Sequence, residues 1–259
     1  MKIAVCVKQI PDPATPYTLD PDTHFVERPE EQVLDDTDRY GIELGLQLAE
    51  ADEGSTVTLF SMSPAGNLQG IRQALAMGAD RAVVVSDATL KGSGALVTAR
   101  VLAAAIGREE FDLVVAGTES TDGYSGVVPQ MLAQLLDLPG LTFARKVERE
   151  GDRIRIERQT ADGYEVVEAP LPALVAVTAG AVEPRYPTFK GITQARQKEV
   201  DEPTLADLGL SASEVGAEGS AQSIRDVRPA PQRSGGVKVT DDGEAHLEII
   251  RVLEQAKAI

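Results

Sequence analysis

Cysteine is nearly absent from this chain: Cys6 stands alone among 259 residues. No disulfide can close within the chain, and no multi-thiolate metal site can be built. Tryptophan is missing and aromatic residues make up only 4%. The two histidines, His24 and His246, fall in a polar stretch and on the polar side of a terminal helical pattern. The usual agent of acid/base chemistry near neutral pH is therefore not where catalysis needs it. Basic residues are outnumbered, 25 Lys and Arg against 41 Asp and Glu, for a net charge of −16. That sign excludes nucleic-acid binding through released counterions and suits a protein that meets basic patches on protein partners. No apolar run approaches the roughly 20 residues of a membrane span. The N-terminus enters a strand pattern without the basic-then-apolar order of a secretory leader, so a cytoplasmic protein with no membrane insertion is expected. A P-loop, a strand-following Gly-x-Gly-x-x-Gly and a Gly-x-Ser-x-Gly elbow are all missing. No catalytic side-chain set is visible, and Cys6 reads as a small core residue.

What is present is an alternation of strands and helices. Residues 2–8 (KIAVCVK) form a buried strand pattern, which Pro11, Pro13 and Pro16 prevent from continuing. Residues 17–34 are polar and irregular. A helix follows near Asp35, Asp36 and Thr37, with Tyr40, Ile42, Leu44, Leu46 and Leu48 supplying its apolar side. Strands at 55–61, 81–86 and 111–116 alternate with helices at 64–77, 93–106 and 127–136. This spacing predicts a doubly wound, mostly parallel α/β sheet with helices on both faces, of the Rossmann-like, adenine-nucleotide-binding kind. After Pro139 the pattern shortens. Residues 141–150, 153–159 and 164–168 alternate apolar with charged residues and are separated by Gly151-Asp152 and Asp162-Gly163, a β-hairpin or meander insertion. Residues 172–178 (PALVAVT) return to a continuous apolar strand that fits the main sheet. A Pro-containing loop at 182–190 precedes a short helix at 192–199. Residues 211–236 carry Ser, Ala, Gly, Gln and Pro without apolar period, an extended arm ending in Asp241-Asp242-Gly243 and an amphipathic helix at 244–258. The expected division is a nucleotide-binding domain at 1–200 and, at 201–259, a C-terminal arm and helix docking on a partner.

Residues 116–130 (AGTESTDGYSGVVPQ) are the organising stretch. An apolar strand ends in Ala116-Gly117, a small and hydroxylic turn follows, and a helix pattern begins at Val127. Strand, Gly-rich turn and helix aim backbone N–H groups at an anion, although an ordinary connection would look the same. If the strand order is 3-2-1-4-5, ligands sit between the first and fourth strands. The turn then lies over that crevice, with Ser125, Gly126 and Val127 facing a phosphate. Ala4 and Cys6 leave room for an adenine, and the Ser61-Met62 edge approaches from the other side.

Four segments together resemble the electron-transfer flavoprotein β subunit, in that family's order and spacing and closest to its actinobacterial members. They are MKIAVCVKQIPDP at the start, ALAMGADRAVVV at 74–85, AGTESTDGYSGVVPQMLAQLLDLP at 116–139 and VEPRYPTFKGITQARQKEV at 182–200. The resemblance implies a partner, an α subunit bearing the redox-active FAD. It implies AMP as a structural ligand of this subunit, or a second FAD in the same pocket in electron-bifurcating members. It places Asp122, Gly123, Tyr124, Ser125, Gly126 and Val127 on the phosphate loop and Cys6, Val7 and Lys8 beside the adenine. Asp35 and Asp36 stand where the family has Asn-Pro, and Asp38 matches its Asp; a carboxylate at 35 lacks the amide's donors. Glu183, Pro184, Arg185, Tyr186 and Phe189 match the loop that docks acyl-CoA or other dehydrogenases, with Phe189 as anchor, and Glu165 matches a residue facing the mobile flavin domain. The implied function is electron carriage from dehydrogenases towards a membrane quinone oxidoreductase, without side-chain catalysis in this chain. A stand-alone nucleotide sensor of the universal-stress type shares the sheet architecture but needs neither docking loop nor arm.

Overall fold

The computed structural model describes residues 1–63, 68–228, 230, 236, 238–241 and 243–259. Residues 64–67 of the expected second helix, much of the expected arm beyond 228, and Asp242 lie outside the described residues. Two compact units are present, Met1–Ile224 and Arg225–Ile259.

In the first unit, strand β1 (Lys2–Cys6) leads to a two-stranded antiparallel ladder of β2 (Gln9–Ile10) and β3 (Val33–Leu34). This ladder closes the base of residues 11–32, an excursion steadied by a bridge between Leu19 and Val26. Then come α1 (Asp38–Glu50), β4 (Thr56–Met62), α2 (Gln69–Met77), β5 (Arg81–Val85), α3 (Ala95–Ile106), β6 (Leu113–Gly117) and α4 (Val128–Leu135). The chain continues through β7 (Gly140–Glu150), β8 (Arg153–Gln159), β9 (Tyr164–Pro170), β10 (Ala173–Val177), α5 (Phe189–Ala195), β11 (Val200–Asp201) and α6 (Gly216–Gly219). The second unit contains α7 (Ala245–Gln255).

The main sheet has nine strands in the order β11-β5-β4-β1-β6-β10-β7-β8-β9. From β11 to β7 every pairing is parallel, and β8 and β9 are antiparallel additions. Counting only the long apolar strands, this is the expected 3-2-1-4-5 order, with β10 as the fifth. The meander is not separate from the sheet, because β7 pairs in parallel with β10 and carries the sheet on into β8 and β9. Strands covered on both faces need apolar residues at every position. Accordingly Ile3, Ala4 and Val5 of β1, and Leu113, Val114 and Val115 of β6, are all buried. Their alternation sends Ile3, Val5, Leu113 and Val115 into one cluster with Ile42 of α1 and Leu75 of α2. Ala4 and Val114 enter the other, with Val101 of α3 and Leu132 of α4. Truncating a fully buried side chain such as Ile42 to Ala costs about 2–5 kcal/mol.

Two expectations differ from what is observed. Residues 211–220 pack on the domain: Val215 is buried, Gly216 N–H donates to Ser93 Oγ at 3.0 Å and Ala217 N–H to the Lys91 carbonyl at 3.0 Å. A period search passes over such a segment because one buried valine anchors it. The short helix expected at 192–199 starts at Phe189, since the Thr188 side chain caps it by accepting from Gly191 N–H at 3.0 Å. In the second unit, α7 has no buried residue and exposes Leu247, Ile249, Ile250, Val252 and Leu253.

Candidate nucleotide crevice and docking loop

Strand order decides where a site can be. Between β1 and β6 the connections leave in opposite directions, so their C-terminal ends open a crevice. The β1 end is pinned to α1, with Lys8 N–H donating to Asp38 Oδ2 at 2.6 Å and Asp35 N–H to the Lys8 carbonyl at 3.0 Å. After β6, Thr118 N–H ties the chain to the Val177 carbonyl at 3.0 Å, and residues 119–127 cross over the crevice. The left-handed backbone at Tyr124 (φ 45°) and Gly126 (φ 62°) turns this loop into α4. No side chain caps α4, and Val128 is followed by a proline, so the leading N–H groups of the first turn lack intrahelical partners.

The loop is held from beneath by carboxylates. Asp35, fully buried, accepts from Thr121 N–H at 2.6 Å, Thr121 Oγ1 at 2.6 Å, Thr37 Oγ1 at 2.9 Å and Thr37 N–H at 3.1 Å. An asparagine could not accept all of these, so Asp35 is built as a loop anchor, and it is turned to Thr37 and Thr121. Asp122 has a buried side chain between two cations: Lys8 Nζ at 2.6 Å and the Arg28 guanidinium, which also donates to it. Burial alone would raise the Asp122 carboxyl, but Lys8 and Arg28 outweigh it and hold the group below the usual carboxylate range. Asp38 goes the other way. Burial, and then the charge of Asp35, push its carboxyl well above the usual range. Desolvation, with Asp38 second, pushes the Cys6 thiol up to about 12, so the partly buried group stays protonated and unreactive.

The residues present fit an adenine nucleotide. Buried polar atoms without hydrogen-bond partners among the described residues include Tyr17 Oη, Ser61 Oγ, Ser86 Oγ and Gln130 Oε1. Ser61 and Ser86 sit at the C-terminal ends of β4 and β5, and Gln130 is in the first turn of α4. Tyr17 lies within the field of Asp122, Asp35, Arg28 and Tyr124. Buried groups of this kind are satisfied in native proteins, so Ser61 and Ser86 on the sheet's C-terminal edge and Gln130 at the start of α4 have hydrogen-bonding capacity left for a polar ligand. Lys8 and Arg28 keep 36% and 29% of their side chains exposed, leaving positive charge beside the helix start for an anion.

The expected residues are thus distributed as follows. Lys8 meets Asp122 and stands beside Gly123, and Tyr124 to Val127 carry the loop on to α4, while Val7 is buried in the cluster under α1 and α2. Cys6 and Met62 both pack against the cluster under α3 and α4. Glu165 lies on β9, the sheet's outermost strand, opposite Arg158 and remote from the crevice. Arg28 and Tyr17 were not anticipated, because they fall in an irregular segment with no period to mark them.

The segment 183–189 is mounted elsewhere. Arg185 faces inward: Nε donates to Glu43 Oε2 at 2.7 Å, Nη2 to Glu43 Oε1 at 3.1 Å and Glu50 Oε2 at 3.0 Å, and Nη1 to Glu50 Oε1 at 2.5 Å. Its backbone N–H also donates to Glu43 Oε2 at 3.1 Å. Burial tends to raise the Glu43 carboxyl, and the Arg185 and Gln47 hydrogen bonds reverse this to a net lowering. Beside this clamp Tyr186 and Phe189 stand 87% and 88% exposed, so neither is a core side chain.

No helix among the described residues is long and apolar enough to cross a membrane. Among them, no group of three or more His, Cys, Asp or Glu could hold a metal ion. The family described as "Electron transfer flavoprotein domain" matches residues 22–208. A protein of Mycobacterium tuberculosis named electron transfer flavoprotein subunit beta is 40% identical over 264 residues, covering 99% of each chain. One of the same name from Megasphaera elsdenii is 36% identical, covering 100% of this chain and 98% of the relative. Subunit CarD of the caffeyl-CoA reductase-Etf complex of Acetobacterium woodii is 32% identical, covering 93% and 92%.

Proposed function

Because the chain belongs to the electron transfer flavoprotein family, as a β subunit, we propose that it works in the cytoplasm as half of a heterodimer that relays electrons from dehydrogenases towards a membrane quinone oxidoreductase. In this reading the α subunit carries the redox-active FAD, and the C-terminal unit, residues 225–259, reaches across that partner. The β chain contributes a scaffold, a structural AMP site and a docking loop, with Glu165 facing the mobile flavin domain. AMP supplies no redox chemistry; it fills the crevice and ties β1, β6 and α4 together. Ser125, Gly126 and Val127, with Lys8, would hold its phosphate, and Cys6, Val7 and Met62 would lie beside its adenine.

The observation that carries the reading is the crevice itself. An uncapped helix start and partly exposed cations belong to the loop over the β1–β6 switch point, and buried polar atoms without partners include Ser61 and Ser86 along the same C-terminal edge of the sheet. The relative named as part of a caffeyl-CoA reductase-Etf complex motivates a second reading, in which the crevice holds a second FAD as a bifurcating subunit does. Denaturing the purified heterodimer and quantifying released nucleotides separates the two. One FAD with AMP supports the first reading, two FAD without AMP the second, and no nucleotide beyond the α-bound FAD would overturn the site.

A further inference from the structure

Resting on the reading of residues 183–189 as a docking loop, we propose that Arg185 is not a partner contact but the positioning residue that presents Tyr186 and Phe189, through a clamp made with Glu43 and Glu50. Every nitrogen of its guanidinium already donates to one of these carboxylates, in the fork geometry that matches two acceptors at once. The Glu43 side chain is only 4% exposed. Were Arg185 to turn towards a partner, it would strand that buried carboxylate, which is the costly way to break such a pair.

The mount continues past the clamp. Helix α5, which begins at Phe189, is fastened to α2 by reciprocal caps. Arg72 of α2 donates to the Ala195 and Lys198 carbonyls at 2.7 Å each. Lys198 Nζ returns to the Leu75 and Ala79 carbonyls at 3.1 and 2.6 Å. A Cβ at Gly191 would stand 2.5 Å from the Ala76 carbonyl oxygen, so α5 lies directly on the α2 backbone. Phe189 is therefore held at both sides by polar contacts while its ring stays free. An apolar anchor ordered in advance loses little freedom on docking, which favours tight encounter without a large interface.

The test uses the α–β heterodimer and an acyl-CoA dehydrogenase from the same organism, with Arg185→Met, Phe189→Ala and the double variant. Amide hydrogen exchange across residues 183–190 is measured alongside the KM for the heterodimer as electron acceptor. Arg185→Met should speed exchange there at least tenfold and raise KM about tenfold with kcat unchanged. The double variant should be no worse than the poorer single variant. Arg185→Lys should not restore KM, since an ammonium cannot bridge both carboxylates as a fork. Unchanged exchange in Arg185→Met overturns the positioning role even if docking through Phe189 stands. Multiplied effects in the double variant, or full rescue by lysine, make Arg185 a direct partner contact and also overturn it. An unaltered KM in Phe189→Ala instead removes the docking reading, which the exchange measurement does not depend on.

Discussion

Two ion clusters lie towards opposite ends of α1, and they are built to opposite plans. At the crevice one buried carboxylate, Asp122, sits between two half-exposed cations, Lys8 and Arg28. At residues 183–189 one cation, Arg185, sits between two carboxylates, one of them buried. In the first, the enclosed charge is negative and two cations share it, so the cluster ties Lys8 and Arg28 to the loop and keeps a net positive charge. In the second, every guanidinium nitrogen already donates to Glu43 or Glu50, although the side chain is about as exposed as Lys8 and Arg28, so the cluster holds a shape beside the exposed Tyr186 and Phe189. Similar side chains thus leave a net positive charge in one place and a net negative charge in the other, according to which sign is enclosed.

The sharpest way to break the comparison is at the crevice. Gly126→Val forces a β-branched residue into the left-handed region and disturbs the approach to the helix start. Released AMP should fall from about one per heterodimer to under a tenth of that in denatured samples; full occupancy would discredit the loop as a phosphate grip. Next in size, Asp122→Ala leaves Lys8 and Arg28 without their shared acceptor. Allowing for screening of cations this exposed, urea unfolding of the heterodimer should show a loss of about 2 kcal/mol. A loss no larger than that of an ordinary surface charge would mean the cluster does not fix the loop.

Phe189→Ala tests the other cluster's purpose. Electron transfer from a dehydrogenase should drop about tenfold, while melting temperature and α binding stay as they were, because the ring is 88% exposed. The smallest effect concerns pH. The folded pKa of Asp38 lies above its unfolded value, so the stability it contributes is complete at low pH and declines as pH rises through the folded value. Asp38→Asn should flatten that decline and leave the variant at least as stable as the parent at neutral pH. Asp122 and Glu43 carry the opposite sign: their stability is present above the unfolded values and is lost as pH falls through the folded ones. Chemical denaturation between pH 4 and 8 reads the Asp38 difference, and parallel curves for variant and parent would rule it out.

Much of the architecture was legible because it rests on local pattern. Doubly buried strands such as residues 113–116 need apolar residues at successive positions, and Gly126 marks a backbone turn that other residues resist. The four segments at 1–13, 74–85, 116–139 and 182–200 carried enough joint specificity to indicate the family. Pairings between distant residues had no such mark. Arg28 meets Asp122 only because the ladder of Gln9–Ile10 with Val33–Leu34 folds the intervening excursion back over the crevice. Nothing local marks Glu43 and Glu50 as partners of Arg185, which lies 142 and 135 residues further along the chain.

The loop at 116–130 shows the division most plainly. Strand, glycine-rich turn and helix, and the family to which they point, follow from sequence, since each depends on neighbours a few residues apart. Which charges stay open to a ligand and which are consumed internally depended on long-range approach. Burial sets the cost of leaving a charge unpaired, and only the folded chain decides what is buried against what.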